Sequence, residues 1–222
     1  MFRCGGLSAL SLRAASRRPN HLLLSSRPFS STPMVQGPLL NTIKYDHRQI
    51  EAYEPHIMNN KSADERTRYQ NTFVWELARH SIGKEIVVYP AMEKHLNDGR
   101  DMAWKDRSQL QMIKEQLYKF QGLDANDPEF EPTFSSLYST LMRHVKEEEE
   151  HDIPRLESKL DHDALLKLSN SFERTKLLTP TRSHPSAPNV PPFQTAAALL
   201  SAPIDKIADI FRKFPKEDGP ML

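Results

Sequence analysis

The sequence predicts an all-α protein: an antiparallel four-helix bundle with an additional helix and a Pro-rich C-terminal tail that carries short helices. Two observations lead to this fold class. Apolar residues recur every three or four positions through most of the chain, which places them on single helix faces. The helical stretches are joined by short connections, and almost no segment alternates apolar and polar residues as a strand would.

Composition limits the class of protein further. The 222 residues carry a net charge of +1 and are 38% hydrophobic, which suits one compact domain with tails. The neutral balance argues against nucleic acid as a partner, and no apolar run is long enough for a transmembrane segment. The only cysteine, Cys4, lies in the N-terminal leader, so a metal site in the remaining chain must use His, Asp and Glu.

Residues 1–40 are predicted to be a mitochondrial presequence or disordered leader. Residues 1–45 contain six Lys or Arg side chains and no acid, and Ser, Leu and Ala fill much of the remainder. The segment Arg27–Ser31 resembles a matrix-processing site, which predicts cleavage near Ser30 and a mitochondrial, matrix location. The alternative is an ordinary disordered tail.

The helical bundle is predicted to span residues 41–178. A capping box at Ser62–Glu65 begins its second helix, Pro90 should kink that helix, and Pro154 should end the fourth. The predicted helices cover about Asn41–Met58, Ser62–Asn97, Asp101–Gln121, Asp127–Pro154 and Leu156–Leu177.

Residues 179–222 are predicted to form a Pro-rich linker and two short helices, at Thr195–Leu200 and Ile204–Phe214. The second helix carries its large apolar residues near one face, namely Ile204, Ile207, Ile210, Phe211 and Phe214. We expect this face to pack on the bundle, because helices this short rarely stand alone in water. Contact with a protein partner or a membrane surface is the alternative.

Polar residues interrupt the apolar faces at matching points of three predicted helices. The faces read Ile43, His47, Ile50 and Glu54; then Phe73, Leu77, His80, Lys84, Val87 and Ala91; then Leu137, Leu141, His144, Glu148 and His151. Burying such groups costs several kcal/mol unless a partner or a metal compensates, so they predict a polar pocket inside the bundle.

The spacing of these residues indicates two copies of a helix pair. His47 precedes His80 by 33 residues and Leu110 precedes His144 by 34, while His80 and His144 are each followed four residues later by a charged residue. His144 and Glu148 are one turn apart, so both can address one point in the bundle.

On these residues the chain resembles the hemerythrin-like, HHE cation-binding family between about Ile43 and Leu160. The resemblance rests on Tyr45–Arg48 (YDHR), Trp75–Pro90 (WELARHSIGKEIVVYP) and His144–Leu156 (HVKEEEEHDIPRL). It implies a non-haem di-iron site in a four-helix bundle, to which each half contributes one His and one His-x-x-x-Glu.

Four residues fall on the family's ligand positions: His47, His80, His144 and Glu148. Lys84 stands where the first glutamate is expected and Leu110 where a histidine is expected, so two of six ligands are missing. We therefore expect no ordinary di-iron site. One alternative is a single iron, manganese or zinc ion held by His80, His144 and Glu148, with or without His47. The other is no metal, with Lys84 paired to Glu148.

The resemblance implies a protein that binds non-haem iron, and oxygen or a related small diatomic ligand, with metal binding reduced to one ion or absent. The alternative function is a metal-free helical interaction module in mitochondria. A single-iron oxidase or peroxidase is a third, and no residue is assigned a catalytic role. Protein or membrane-surface contact through the C-terminal tail is compatible with all three.

Overall fold

A computed structural model describes residues 37–187 and 202–215. The predicted presequence up to residue 36, its cleavage site and the predicted helix at Thr195–Leu200 lie outside these ranges. Within them the chain is helical and has no strand. The helices are α1 (Pro38–Ala52), α2 (Glu54–Met58), α3 (Ala63–Gly83), α4 (Tyr89–His95), α5 (Gly99–Gln121), α6 (Phe130–Glu147), α7 (Ile153–Glu157), α8 (His162–Leu178) and α9 (202–209).

Two π-helical segments keep the longest helices continuous. Segment π1 (Lys84–Val88) joins α3 to α4, and segment π2 (Glu148–Asp152) joins α6 to α7. Residues 38–157 therefore form four rods, α1–α2, α3–π1–α4, α5 and α6–π2–α7, whose short connections make consecutive rods antiparallel. The predicted bundle with an additional helix is confirmed. None of the described helices is long and apolar enough to cross a membrane.

The helix boundaries differ from the prediction where proline is involved. Helix α1 ends at Ala52 rather than Met58, because Pro55 falls in the first turn of a new helix. Pro154 does not end the fourth rod, since it lies in the first turn of α7, where a missing N–H is tolerated, and the rod continues to Glu157. The additional helix consequently begins at His162 rather than near Leu156.

Helix α8 covers one side of the bundle, where it packs against α1, α3 and π1. A glycine permits the close approach: a Cβ added at Gly83 would lie 2.9 Å from the Phe172 ring. The same ring meets the imidazole of His80 edge-on, with centroids 5.6 Å apart. Helix α8 thereby shields the polar interior from solvent.

The C-terminal helix α9 docks on the bundle, but not with the predicted face. Its acidic residues Asp205 and Asp209 are buried, whereas Ile207 and Phe211 are 61% and 84% exposed. The prediction that the isoleucines face the bundle is wrong because residues 179–187 present hydrogen-bond donors, and these donors hold the carboxylates inward.

Candidate metal centre

The two π segments begin at the two residues that dominate the site, Lys84 and Glu148. Each lies six residues before a proline, Pro90 or Pro154, and its carbonyl accepts the main-chain N–H five residues on. A proline ring inside a regular helix clashes with the carbonyl four residues earlier, and the wider π turn relieves that clash. The same six-residue spacing separates Lys84 from Pro90 and Glu148 from Pro154. It sets the local helix geometry in both halves of the bundle.

The π turns also change which residues face inward. Val88 rather than Val87 is buried after Lys84, and Asp152 rather than His151 is buried after Glu148. The predicted inward position of His151 is wrong for this reason, since a wider turn rotates the following side chains away from the α-helical repeat. Glu54, also predicted to point inward, is only half-buried because α1 ends before it.

Lys84 lies in the bundle interior, 1% exposed, where its ammonium contacts two predicted ligands. Lys84 Nζ is 2.7 and 2.9 Å from the carboxylate oxygens of Glu148 and 3.0 Å from His144 Nε2. These contacts use all three N–H donors of the ammonium. The predicted pairing of Lys84 with Glu148 is confirmed. Leu110, at the position where the resemblance implies a histidine, is fully buried on α5.

His47 and His80 face each other through their Nε2 atoms, 3.2 Å apart. The opposite ring nitrogens are engaged by carboxylates: His47 Nδ1 is 2.8 Å from Glu149 Oε1, and His80 Nδ1 is 3.0 Å from Asp46 Oδ2. A neutral ring that donates from Nδ1 carries a lone pair on Nε2. Two such rings would direct two lone pairs at each other, so a proton or a cation must be shared between them.

Further contacts orient the three predicted histidine ligands. Lys176 of α8 holds Asp46, with Nζ 2.7 and 2.8 Å from the two carboxylate oxygens. Gln109 Oε1 accepts from His144 Nδ1 at 2.7 Å, which leaves Nε2 of that ring to accept from the lysine. Arg48 pairs with Glu149 at the rim of the site. Carboxylates and carbonyls on the outer ring nitrogen are the usual way to fix an imidazole for ligation.

Burial and neighbouring groups shift the pKa values of the three imidazoles in different directions. Burial, assisted by the charge of Lys84, lowers the pKa of His80 to about 3, and burial lowers the pKa of His144 to about 4. Burial acts in the same direction on His47, yet its hydrogen bonds to Glu148 and Glu149 raise its pKa above the usual value. Of the three imidazoles, His47 is therefore the one that gains a proton most readily.

Glu148 is ionised despite complete burial. Burial acts to raise the pKa of its carboxyl, but His144, Lys84 and the hydrogen bond to His47 hold that pKa well below its usual value. Its Oε2 lies 3.6 Å from His47 Nε2. Among the described residues, one group of three has ligand atoms within 4.8 Å of one another and could hold a metal ion: His47, His80 and Glu148.

The structure thus divides the predicted ligands into two sets. His144 lies beside Glu148 but gives its Nε2 to Lys84, so the predicted trio of His80, His144 and Glu148 is replaced by one that contains His47. The atoms that could meet a cation are the Nε2 atoms of His47 and His80 and Oε2 of Glu148, which Lys84 also contacts at 2.7 Å. Two imidazoles and a carboxylate fit one transition metal ion; they do not fit two ions beside a lysine ammonium.

Sequence reasoning missed several buried polar residues around these ligands. Lys176 continues the apolar face of α8 four residues after Phe172, the same signal that identified Lys84. Asp106 is 1% exposed and its Oδ2 has no hydrogen-bond partner within the described ranges. Burial raises its pKa to about 8, and Glu148 adds to that effect. Tyr89 is also fully buried, and its hydroxyl has no hydrogen-bond partner among the residues that the structure describes.

The comparison with known families agrees with this geometry. The model of the hemerythrin HHE cation binding domain matches residues 39–156, more than half of the chain. The chain belongs to the hemerythrin family. An uncharacterized hemerythrin-like protein of Schizosaccharomyces pombe is 52% identical over 171 residues, which cover 77% of this chain and 84% of that protein. No solved structure shows a significant match.

The hemerythrin domain defined by the family match contains the imidazoles, Lys84 and Glu148, but not the whole site. Lys176 and Phe172 lie on α8, beyond residue 156, and contact the site through Asp46 and His80. In this protein the segment that follows the hemerythrin domain completes the environment of one histidine.

Proposed function

We propose that the protein is a hemerythrin-family cation-binding protein that holds a single divalent transition metal ion at His47, His80 and Glu148. The proposal rests mainly on one observation, the pair of imidazole Nε2 atoms 3.2 Å apart whose outer nitrogens are both held by carboxylates. Such a pair calls for a shared cation, and Glu148 supplies a buried negative charge beside it.

In this proposal Lys84 stands where the second metal ion of a hemerythrin site would be. Its ammonium binds both oxygens of Glu148 and the imidazole of His144, which are metal-ligand types. A second dication next to this ammonium would be repelled by several kcal/mol, even at an effective dielectric of about 20. We therefore propose that Lys84 and Leu110 mark lost ligand positions and that the stoichiometry is one ion per chain.

The chemistry of the donor set suits iron, manganese or zinc. Iron is the ion that the family resemblance favours, and when bound it would supply open coordination positions for a small ligand such as oxygen. The chain's own residues would orient the imidazoles through Asp46 and Glu149 and exclude water through α8. No residue is assigned to a catalytic step.

Metal analysis tests this proposal. We expect protein purified without chelator, or titrated with Co²⁺ as an optical probe, to contain one ion per chain. His47→Ala and His80→Ala should each abolish binding, whereas His95→Ala, which removes an exposed histidine of α4, should not. Absence of uptake, or two ions per chain, would contradict the proposal.

A metal-free helical module is the second candidate, and the charges of the site favour it. The pairs Lys84–Glu148 and Lys176–Asp46 are each neutral as they stand, and a proton on His47 satisfies the facing imidazoles. Under this alternative the site stabilises the fold and carries no ligand. The same titrations decide between the two candidates, since a metal-free protein would show no saturable Co²⁺ spectrum.

We also propose that the protein is imported into mitochondria, with the matrix as its destination. The acid-free, Arg- and Ser-rich composition of the first 45 residues supports this. Mass spectrometry of the N-terminus of the protein isolated from cells tests the proposal: a start close to Ser30 is expected, and an intact N-terminus on a protein outside mitochondria would refute it.

A further inference from the structure

Large apolar side chains are exposed along α9 and the turn that follows it. Ile204, Ile207, Ile210 and Phe211 are 60–84% exposed, and we refer to them as the C-terminal apolar surface. The exposed Leu177 at the end of α8 lies beside it, since its carbonyl accepts a hydrogen bond from Lys206 of α9. Four large apolar side chains exposed within eight residues of the chain indicate a docking site, because a cluster of this kind is costly to leave in water.

The acidic residues of α9 lie on its opposite face, where they are buried. Asp205 Oδ2 accepts from the main-chain N–H groups of Thr181 and Arg182 and lies 2.9 Å from His184 Nε2. Asp209 accepts from the Thr181 hydroxyl at 2.5 Å. These are the only acids in residues 202–215, so the outward side of this segment presents apolar and basic groups alone.

Polar contacts with α3 fix the segment in this orientation. Arg68 donates to the carbonyl of Phe214 at 2.8 Å, and Asn71 donates to the carbonyl of Lys213 at 2.9 Å. If α9 rotated about its axis to bury its isoleucines, the hydrogen bonds of both carboxylates would break. The outward apolar face is therefore held in place by the fold.

Basic side chains border the C-terminal apolar surface. Lys206 and Lys213 are exposed and Arg212 is half-buried. Arg212 is paired with the buried Asp209, and Lys213 with Asp64, whereas the Lys206 ammonium donates to a main-chain carbonyl and has no acidic partner in the described part of the chain. A segment that directs Ile and Phe outward with Lys beside them has the composition of helices that lie in the headgroup region of anionic membranes.

We infer that the C-terminal apolar surface docks the protein onto an anionic lipid bilayer, with α9 lying in the membrane interface. The apolar side chains enter the acyl boundary and Lys206 meets lipid phosphates. The association is peripheral, because the described part of the chain has no membrane-spanning helix. This inference is independent of whether the bundle holds a metal.

Fluorescence quenching by brominated lipid tests the docking directly, using the full-length chain. Phe211→Trp places a reporter on the surface, and the native Trp75 and Trp104 provide the background in the unmodified protein. With vesicles of brominated phosphatidylcholine and phosphatidylglycerol, the variant should be quenched more strongly than the parent. Equal quenching of both proteins would overturn the inference. Because the reporter is local, binding through the N-terminal leader does not mimic the result.

Surface variants in the same quenching assay supply the second measurement. Ile207→Ser with Ile210→Ser should lower the lipid partition coefficient of the Phe211→Trp protein, read by its quenching, about tenfold or more. Met112→Ser, which alters an exposed apolar residue of α5, should leave it unchanged.

Charge and self-association complete the test. Lys206→Gln retains a hydrogen-bond donor but removes one charge, and should weaken the quenching several-fold on anionic vesicles and not on neutral ones. If light scattering instead shows a dimer that the isoleucine-to-serine variant dissociates, a second copy covers the surface and the inference is wrong.

Discussion

Replacing Lys84 by methionine tests whether its ammonium acts as the counterion of Glu148. Methionine keeps a long apolar stem, so the change removes one charge and three N–H donors. Glu148, which is 0% exposed, would lose contacts of 2.7 and 2.9 Å, and His144 would lose one of 3.0 Å. Removing one partner of a buried ion pair costs about 3–5 kcal/mol. For a protein of this size that lowers Tm by about 6–20 °C.

Urea unfolding in the presence of chelator measures this effect without a contribution from metal. The double variant Lys84→Met with Glu148→Leu removes both charges and should recover most of the loss, because a buried pair replaced by apolar residues is often neutral. Lys105→Met is the matched control: Lys105 is exposed and its partner Glu147 only half-buried, so the pair should contribute at most about 1 kcal/mol. If Lys84→Met cost no more than this control, or if the double variant were additive, the counterion role would be refuted.

Three further predictions follow from the same interior. Lys84→Glu with Leu110→His restores both proposed ligand residues and should take up two metal ions per chain by elemental analysis; unchanged metal content would contradict the assigned positions. Asp106→Asn should stabilise the protein more near pH 8 than near pH 4. The buried carboxyl has a pKa of about 8 and stays protonated in the native state while the unfolded state ionises, so native stability falls as pH rises across that window; equal gains in urea titrations at both pH values would argue against it. Lys176→Met leaves Asp46 buried without its ammonium partner and should destabilise the fold by about 3 kcal/mol in calorimetry, with a loss below about 1 kcal/mol as the contrary result.

The polar interior was predictable because it depends on local repeats. A lysine, three histidines and a glutamate fall on apolar helix faces, and any packing of those faces brings the residues inside. The prediction failed by one position after Lys84 and after Glu148, where Val88 and Asp152 replace Val87 and His151 as the buried residues. The cause is the π turn before each proline, which a uniform helical repeat does not include.

The pairing among the ligands was not predictable from the same pattern. The helix faces place His144 and His47 equally inward. Lys84 nevertheless hydrogen-bonds to His144, whereas His47 lies opposite His80. Lys176, 130 residues away in the chain from Asp46, reaches the site only because α8 packs across π1. These choices depend on distances between rods, which side-chain spacing within one rod does not contain.

The sequence by itself determined the helical class, the family and the inward position of Lys84 and of the predicted ligand residues, because helix formation and amphipathic periodicity are properties of neighbouring residues. Only the tertiary structure decided which donors meet the ammonium of Lys84, which imidazoles face each other, and which side of α9 points outward. Each of these depends on partners contributed by distant segments, since a buried carboxylate or imidazole goes where its hydrogen-bond partners are.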